Sequence, residues 1–361
     1  MGKVGIVTYG AALPKRRMKV EQVLDVWKNN PVPYVKNSMG VSERTVLFAD
    51  EDTNTLAVAS IRAAARRYPK TTETEGLFVG TCTNEYNSRP SATMIMEAAN
   101  LQVTIKNADV QWSTKSGSAA IDIAAAMVAS GMCKTALAVG VDTINRRTAP
   151  GDLTEAYASA GSVAVLLGKE DVIAEIDASV SYSEDLSDSF RVDGERYIRS
   201  GMRLGGAKDE LGLLRHMEGS VRALMEKTGT SPEDYDYFIP QQATTGYAHM
   251  AAERLGFSED QIRKSVVSRE IGDSGSASAL LGLANVLDQA KPGERILLAT
   301  YGFGAGSDAI SLTVTDQIVG MQSRGERIQD LIADKMYVDY GTAVKYEYKY
   351  IRPDYALGAF L

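Results

Sequence analysis

Two stretches decide the fold. Gly117-Ser118-Ala119-Ala120 opens a small-residue run to about Ser130, and Gly275-Ser276-Ala277-Ser278 opens another to about Gln289. Each run carries Ala, Gly and Ser on every side, so each reads as a helix buried between layers. Each is followed by a turn, an apolar strand, a Gly-containing connection and a second apolar strand. The strands are Thr135–Val141 and Gly161–Leu167 in the first block, Arg295–Thr300 and Ala309–Val314 in the second. The first Gly-Ser-Ala starts 18 residues before its strand and the second starts 20 before its own. One Gly-Ser-Ala match would mean little. The whole ordered block recurring argues for an internal duplication.

The flanking segments support this. Ahead of the first block lie a strand at Val4–Tyr9, a helix at Glu51–Arg67, a strand at Leu77–Gly80, a polar loop at Thr81–Pro90 and a short strand at Val110–Trp112. Ahead of the second lie a strand at Val172–Val180, an amphipathic helix at Leu213–Lys227, a strand at Tyr237–Ile239 and a helix at Gly246–Leu255. Alternating strands and helices predict mainly parallel sheets. With one buried helix per half between two sheets, the predicted architecture is a five-layered α/β/α/β/α fold from two duplicated halves. The halves span residues 1–170 and 171–320, and an extension spans 321–361. In the extension, Gln322–Lys335 reads as a charged helix. Tyr346, Tyr348 and Tyr350 alternate with Glu347 and Lys349, which in a strand puts three rings on one face. That face either packs on its own domain or docks a partner, since Tyr is enriched at interfaces.

Composition narrows the function. The 361-residue chain has a net charge of −7, which disfavours nucleic acid and anionic membranes as partners. The longest apolar region, Ala119–Val141, is interrupted by Asp122 and Lys134 and does not read as a membrane span. Cys82 and Cys133 are the only cysteines, pointing to a reducing cytoplasm with no disulfide framework and no metal site. His216 and His249 are the only histidines, a scarcity that matters because acyl-transfer chemistry commonly needs a His proton shuttle.

Val4–Pro14, Gly40-Val41-Ser42-Glu43-Arg44, Glu51-Asp52-Thr53, Gly80–Pro90, Lys115–Ala119, Ser278–Gln289 and Tyr301–Ala309 together resemble HMG-CoA synthases of the archaeal and bacterial type, over essentially the whole chain. The resemblance implies the thiolase fold and a Claisen condensation. In that family a Cys at the start of the first buried helix takes an acetyl group, a Glu removes a proton from a second acetyl group, and a His polarises the acceptor carbonyl. A helix N-terminus lowers a thiol pKa, a carboxylate poised near neutrality abstracts a C–H proton, and an imidazole donates to an oxyanion.

All of these positions are substituted here. The Cys motif matches Ser113-Thr114-Lys115-Ser116-Gly117-Ser118-Ala119, placing Thr114 at the nucleophile position. The Glu loop matches Gly80-Thr81-Cys82-Thr83, placing Cys82 at the base position. The His stretch matches Pro240-Gln241-Gln242-Ala243-Thr244, placing Gln241 at the His position. A substrate-contacting Asn matches Asp273. Four changes together imply a retired Claisen site. Thr114 as a nucleophile needs a base that Gln241 does not supply. Cys82 is a second candidate, expected to have an ordinary thiol pKa because no base or helix terminus is visible beside it. Cys133 reads as structural, and His249 as a partly exposed helix residue.

Val20–Asn29, Gly80–Asn84, Ala129–Met132, Asn145–Tyr157, Tyr197–Gly201, Gln241-Gln242, Gly272–Leu287 and Tyr337–Tyr355 are more similar to the A subunits of bacterial phloroglucinol acyltransferases, which form 2,4-diacetylphloroglucinol. That resemblance implies a Cys-less subunit working with a thiolase-like catalytic subunit and a small zinc-ribbon/OB-fold bridging subunit, around a homodimeric core and without a cofactor. The alternatives are a stand-alone HMG-CoA or ketoacyl synthase variant, and a ligand-binding module built on an inactive enzyme. A thioester user needs a basic groove, for which Arg16, Arg17, Lys36 and Arg263 are candidates.

Overall fold

A computed structural model describes residues 3–186, 188–200 and 212–350. Nine strands make the main sheet: β1 (Gly5–Ala12), β2 (Gly76–Gly80), β3 (Lys106–Val110), β4 (Ala136–Thr143), β5 (Ala160–Gly168), β6 (Ala174–Tyr182), β7 (Tyr237–Pro240), β8 (Arg295–Gly302) and β9 (Gly306–Val314). Their order is β7-β8-β9-β6-β1-β5-β4-β2-β3. The duplication is written in this order. Outward from the middle, the first half runs β1, β5, β4, β2 and the second runs β6, β9, β8, β7. Each half has an antiparallel pair (β4 with β5, β8 with β9) and then a parallel neighbour (β2, β7). β3 has no counterpart in the second half among the described residues.

Two expectations change here. The two sheets are one continuous ladder, because β1 pairs antiparallel with β6 through Gly5↔Glu175 and Ile6↔Ala174. The sheet is mixed, not mainly parallel. Phe303-Gly304-Ala305 joins β8 to β9 too tightly for any crossover, and a connection that short fixes the strands as antiparallel.

Five layers nonetheless form. Helices α1 (Thr53–Arg67) and α2 (Ser91–Ala98) cover the outer face of the first half, where Leu56, Ile61 and Ile95 meet Leu77, Val139 and Leu166. Helices α4 (Leu213–Thr228) and α5 (Thr245–Leu255) cover the second, where Met217 and Leu224 meet Phe238 and Leu297. Between the halves lie α3 (Ser116–Ala129) and α6 (Ser278–Leu287), in one core with strand residues Phe78 and Ala138 from one side and Ile239, Leu298 and Ile310 from the other. Every residue of α6 is buried. Small residues make this central layer possible. A Cβ on Gly117 would lie 2.5 Å from the Ser276 carbonyl oxygen, and one on Gly140 2.6 Å from the same atom. The two Gly-Ser-Ala turns therefore meet backbone to backbone.

Local details differ from expectation where tertiary contacts override pattern. The strand expected at Val110–Trp112 ends at Val110, and the chain then bends. The helix expected over Gln322–Lys335 is two short ones, Ile318–Gln322 and Ile328–Ala333. The break lies at Gly325, whose Cα packs against Arg67 so closely that a Cβ would come within 2.6 Å of its side chain. No strand forms at Tyr346–Tyr350. A helix spans Tyr340–Tyr346, and Tyr348 takes a left-handed φ of 55°.

In the tail the alternation survives with its faces exchanged. Tyr348 and Tyr350 are exposed, while Glu347 and Lys349 are buried. Arg44 and Lys349 both reach Glu347, Lys349 also reaches Glu155 at 2.9 Å, and Asn145 donates to Glu347 at 3.1 Å. Two cations and two carboxylates close a neutral set. Burial raises the Glu347 pKa, but Arg44 and Lys349 outweigh it and hold the group below the usual carboxylate range. Residues 351–361, part of the expected docking extension, lie outside the described residues.

Removing one member of such a set strands its partners in a dry interior. Glu347→Gln is expected to destabilise the protein by about 3–5 kcal/mol at neutral pH. A carboxylate with a depressed folded-state pKa stabilises above its unfolded value, and that contribution is lost as pH falls through the folded value. Urea unfolding across roughly pH 3–7 should therefore show the gap between wild type and variant narrowing toward acid.

Candidate functional site

The site begins at a bend. After β3, Ser113 adopts a left-handed φ of 50°, unusual for a residue with a side chain. Its carbonyl is held by the Ser116 hydroxyl at 2.6 Å and faces the Ser276 hydroxyl at 3.3 Å. This bend delivers Thr114 to a cavity at the start of α3. The Thr114 hydroxyl donates to the Tyr301 carbonyl at 2.8 Å, and the Phe303 N–H lies 3.4 Å from it. Both contacts come from the β8 end, so the second half occupies the hydroxyl of the first. Beside it, the buried Lys115 ammonium sits 2.6 Å from Asp308 and 4.0 Å above the Trp112 ring.

The cavity encloses about 280 Å³. Cys82, Thr114 and Asp273 all line it, with Ser113, Arg191 and Phe303. Three of the four expected positions are thus brought together. The fourth, Gln241, is buried behind the lining. Its amide donates to the Gly275 carbonyl at 3.1 Å, and its oxygen lies 3.5 Å from the Tyr301 N–H. Gln241, expected at the His position, is a structural amide between Gly275 and Tyr301. The Asp273 carboxylate accepts from the Gly275 N–H at 2.9 Å.

Cys82 departs from expectation. Its thiol lies 3.3 Å from one oxygen of Asp142, and its N–H donates to the other at 2.8 Å. Burial first, and then the Asp142 carboxylate, push the thiol well above its ordinary value. A thiol beside a buried carboxylate is a hydrogen-bond donor, the reverse of an activated nucleophile.

The remaining candidates lie elsewhere. His216 is buried between Tyr182 and Tyr301, with ring centroids 5.6 and 5.5 Å away and Nε2 3.2 Å from Glu184. Burial lowers its pKa. His249 sits on α5 and meets Glu259 at 2.9 Å. Cys133 is buried in the central core. The four basic candidates build no groove. Arg16 stacks on Phe48 and Tyr346, Arg17 is buried, Lys36 pairs with Glu21 and Arg263 pairs with Asp260.

Sequence reasoning missed Asp142 and Arg191. Asp142 is the penultimate residue of a fully buried strand, and a lone carboxylate after an apolar run was the available signal. Arg191 lies in an irregular segment with no periodic pattern to place it.

Cys82 should react sluggishly. Alkylation by iodoacetamide near pH 8, followed by peptide mass spectrometry, is expected to run at least about tenfold slower than at a cysteine in an unfolded peptide. A faster rate would contradict the donor assignment.

Comparisons with known proteins agree with this architecture. Residues 225–314 match the 3-oxoacyl-[acyl-carrier-protein] synthase III C-terminal family. The chain is 39% identical to the hydroxymethylglutaryl-CoA synthase of Methanocaldococcus jannaschii, over 96% of this chain and 99% of that one. It is 37% identical to the synthase of Thermoplasma acidophilum, over 97% and 99%. The structure superposes on MvaS in complex with 3-hydroxy-3-methylglutaryl coenzyme A with a TM-score of 0.81 at 22% identity, covering 96% of this chain and 92% of that one. It superposes on FabH from Pseudomonas aeruginosa with a TM-score of 0.78 at 21% identity, covering 87% and 98%. The names of these relatives fit the stand-alone synthase better than a silent subunit, and they leave the likeness to phloroglucinol acyltransferases as a reading of sequence. Among the described residues no helix is long and apolar enough to cross a membrane. The thiolase-like fold and the similarity at 39% identity over nearly the whole length carry the conclusion: this chain belongs to the hydroxymethylglutaryl-CoA synthase family.

Proposed function

We propose that this chain is the synthase-like subunit of a multi-component acyltransferase that moves acetyl groups onto phenolic, phloroglucinol-type carbons, and that its own Claisen site is silent. One observation carries the reading. The Thr114 hydroxyl is spent on the Tyr301 carbonyl, and neither His nor Glu is among the described residues lining the cavity. A hydroxyl in that state points its proton at a backbone carbonyl, which cannot take it up as a base would. Gln241 at the His position donates to a backbone carbonyl, and a carboxamide takes up no proton near neutrality. Cys82 at the base position is a thiol held protonated. On this reading a thiolase-like partner supplies the reactive Cys, a small zinc-ribbon/OB-fold subunit bridges the two, and this chain pairs with a second copy of itself in a reducing cytoplasm.

A second reading is favoured by the relatives, which are named as synthases along their full length. In it the chain acts alone on acyl-CoA thioesters through a group other than Thr114. Intact-protein mass spectrometry separates the two. The purified chain is incubated with acetyl-CoA and, separately, with an acetylated phloroglucinol, alone and beside a co-expressed thiolase-like partner. The first reading expects no adduct on this chain and one acetyl on the partner. An acetyl mapped to Cys82 or Thr114 of the isolated chain would replace it with the second.

A further inference from the structure

The cavity is walled on one side by a short hairpin. Ser189–Phe190 pairs antiparallel with Arg199–Ser200, and Gly194 takes a φ of +79° in the turn between them. Ser189, Phe190, Arg191 and Ile198 of this hairpin line the same cavity as Cys82 and Thr114. Yet the hairpin adds nothing to the core. No residue from Ser189 to Arg199 is buried, and Phe190 and Val192 are exposed. Two paired residues per strand do not hold a hairpin together on their own. A segment with so few buried apolar contacts sits at the low-stability end of a fold, where local opening needs little free energy.

Its closed position therefore depends on polar ties. The base is fixed, because Asp188 is buried and accepts from the Tyr301 hydroxyl. Further out, the Ile198 N–H donates to the Arg147 carbonyl at 2.8 Å. The Asn87 amide donates to Asp193 at 2.9 Å, between two exposed side chains where water competes. The Arg196 guanidinium donates to the Glu347 carbonyl at 3.0 Å, in a partly buried contact. A charged donor makes this the strongest of the outer ties. Its far side is rigid, since the Glu347 side chain is fully buried and held by Arg44, Lys349 and Asn145.

We propose that the hairpin is a lid on the cavity and that Arg196 on the Glu347 carbonyl is its latch. The C-terminal extension then controls entry to a site formed by the two halves. Opening breaks the outer ties, leaves the Asp188 base in place and exposes the Cys82 side of the cavity to solvent. The inference holds whether or not Thr114 or Cys82 is reactive.

The chain's two cysteines provide the test, because Cys82 lines the cavity and Cys133 lies in the central core. Each is labelled in the native full-length chain with a bulky fluorescein maleimide, and the rates are read by peptide mass spectrometry. Arg196→Ala is expected to speed Cys82 labelling by about tenfold while leaving Cys133 unchanged. Arg196→Lys should restore part of the protection, since an ammonium still donates to a carbonyl. The Ile198 amide should exchange with deuterium faster in Arg196→Ala than in the wild type. Cys82 labelling unmoved by Arg196→Ala would overturn the proposal, and so would an Ile198 amide that exchanges no faster. Equal acceleration of Cys82 and Cys133 would overturn it too, because it means that the whole fold has loosened. Each rate is a ratio of variant to wild type, so the slow intrinsic reaction of the Cys82 thiol cancels. No acetyl donor is present, so the silent-subunit reading stands or falls separately.

Discussion

Asp142 accepts hydrogen bonds from the Thr81 and Thr83 hydroxyls and from the N–H and thiol of Cys82, and also from the Ser276 N–H. The first four belong to the loop after β2, in the first half of the chain. The last belongs to the turn that opens α6, in the second. One buried carboxylate thus ties both halves at the point where the two central helices begin. It also explains Gly275, where φ is +59° and a Cβ would lie 2.5 Å from the Asp142 carboxylate. With this anchor in place, Gly117 and Gly140 can pack on the Ser276 backbone, and the cavity has fixed walls. Losing it would leave several buried donors unsatisfied at once, each costing about 1–3 kcal/mol.

The anchor also decides the chemistry. The same carboxylate that organises the loop sits beside Cys82, the residue the sequence reading expects at the base position, and the thiol there is a donor to it. Thr114 and Gln241 are likewise absorbed into structure, one on the Tyr301 carbonyl and the other between Gly275 and Tyr301. Cys82, Thr114 and Gln241 each have hydrogen-bond partners within the structure. They are not a damaged active site with loose ends.

Much of this was legible in the sequence. The repeated Gly-Ser-Ala block carries the duplication because only small residues let two helix starts meet through their backbones. The sequence reading also brought Cys82, Thr114 and Asp273 to one cavity, because motifs keep their order along the chain. The joining of the halves through β1 and β6 was not, since no local pattern encodes which edges pair. The exchanged faces of the tail were hidden for a related reason. Glu347 and Lys349 look solvent-bound until Arg44 and Glu155, far away in sequence, supply their partners.

The central claim is that this family member keeps the synthase fold while its condensation site is inert. The direct measurement is CoA release by the purified chain given acetyl-CoA and acetoacetyl-CoA together. The account predicts a rate indistinguishable from the uncatalysed background. Saturable release that disappears in Cys82→Ala or Thr114→Val would contradict it and make the chain a synthase in its own right.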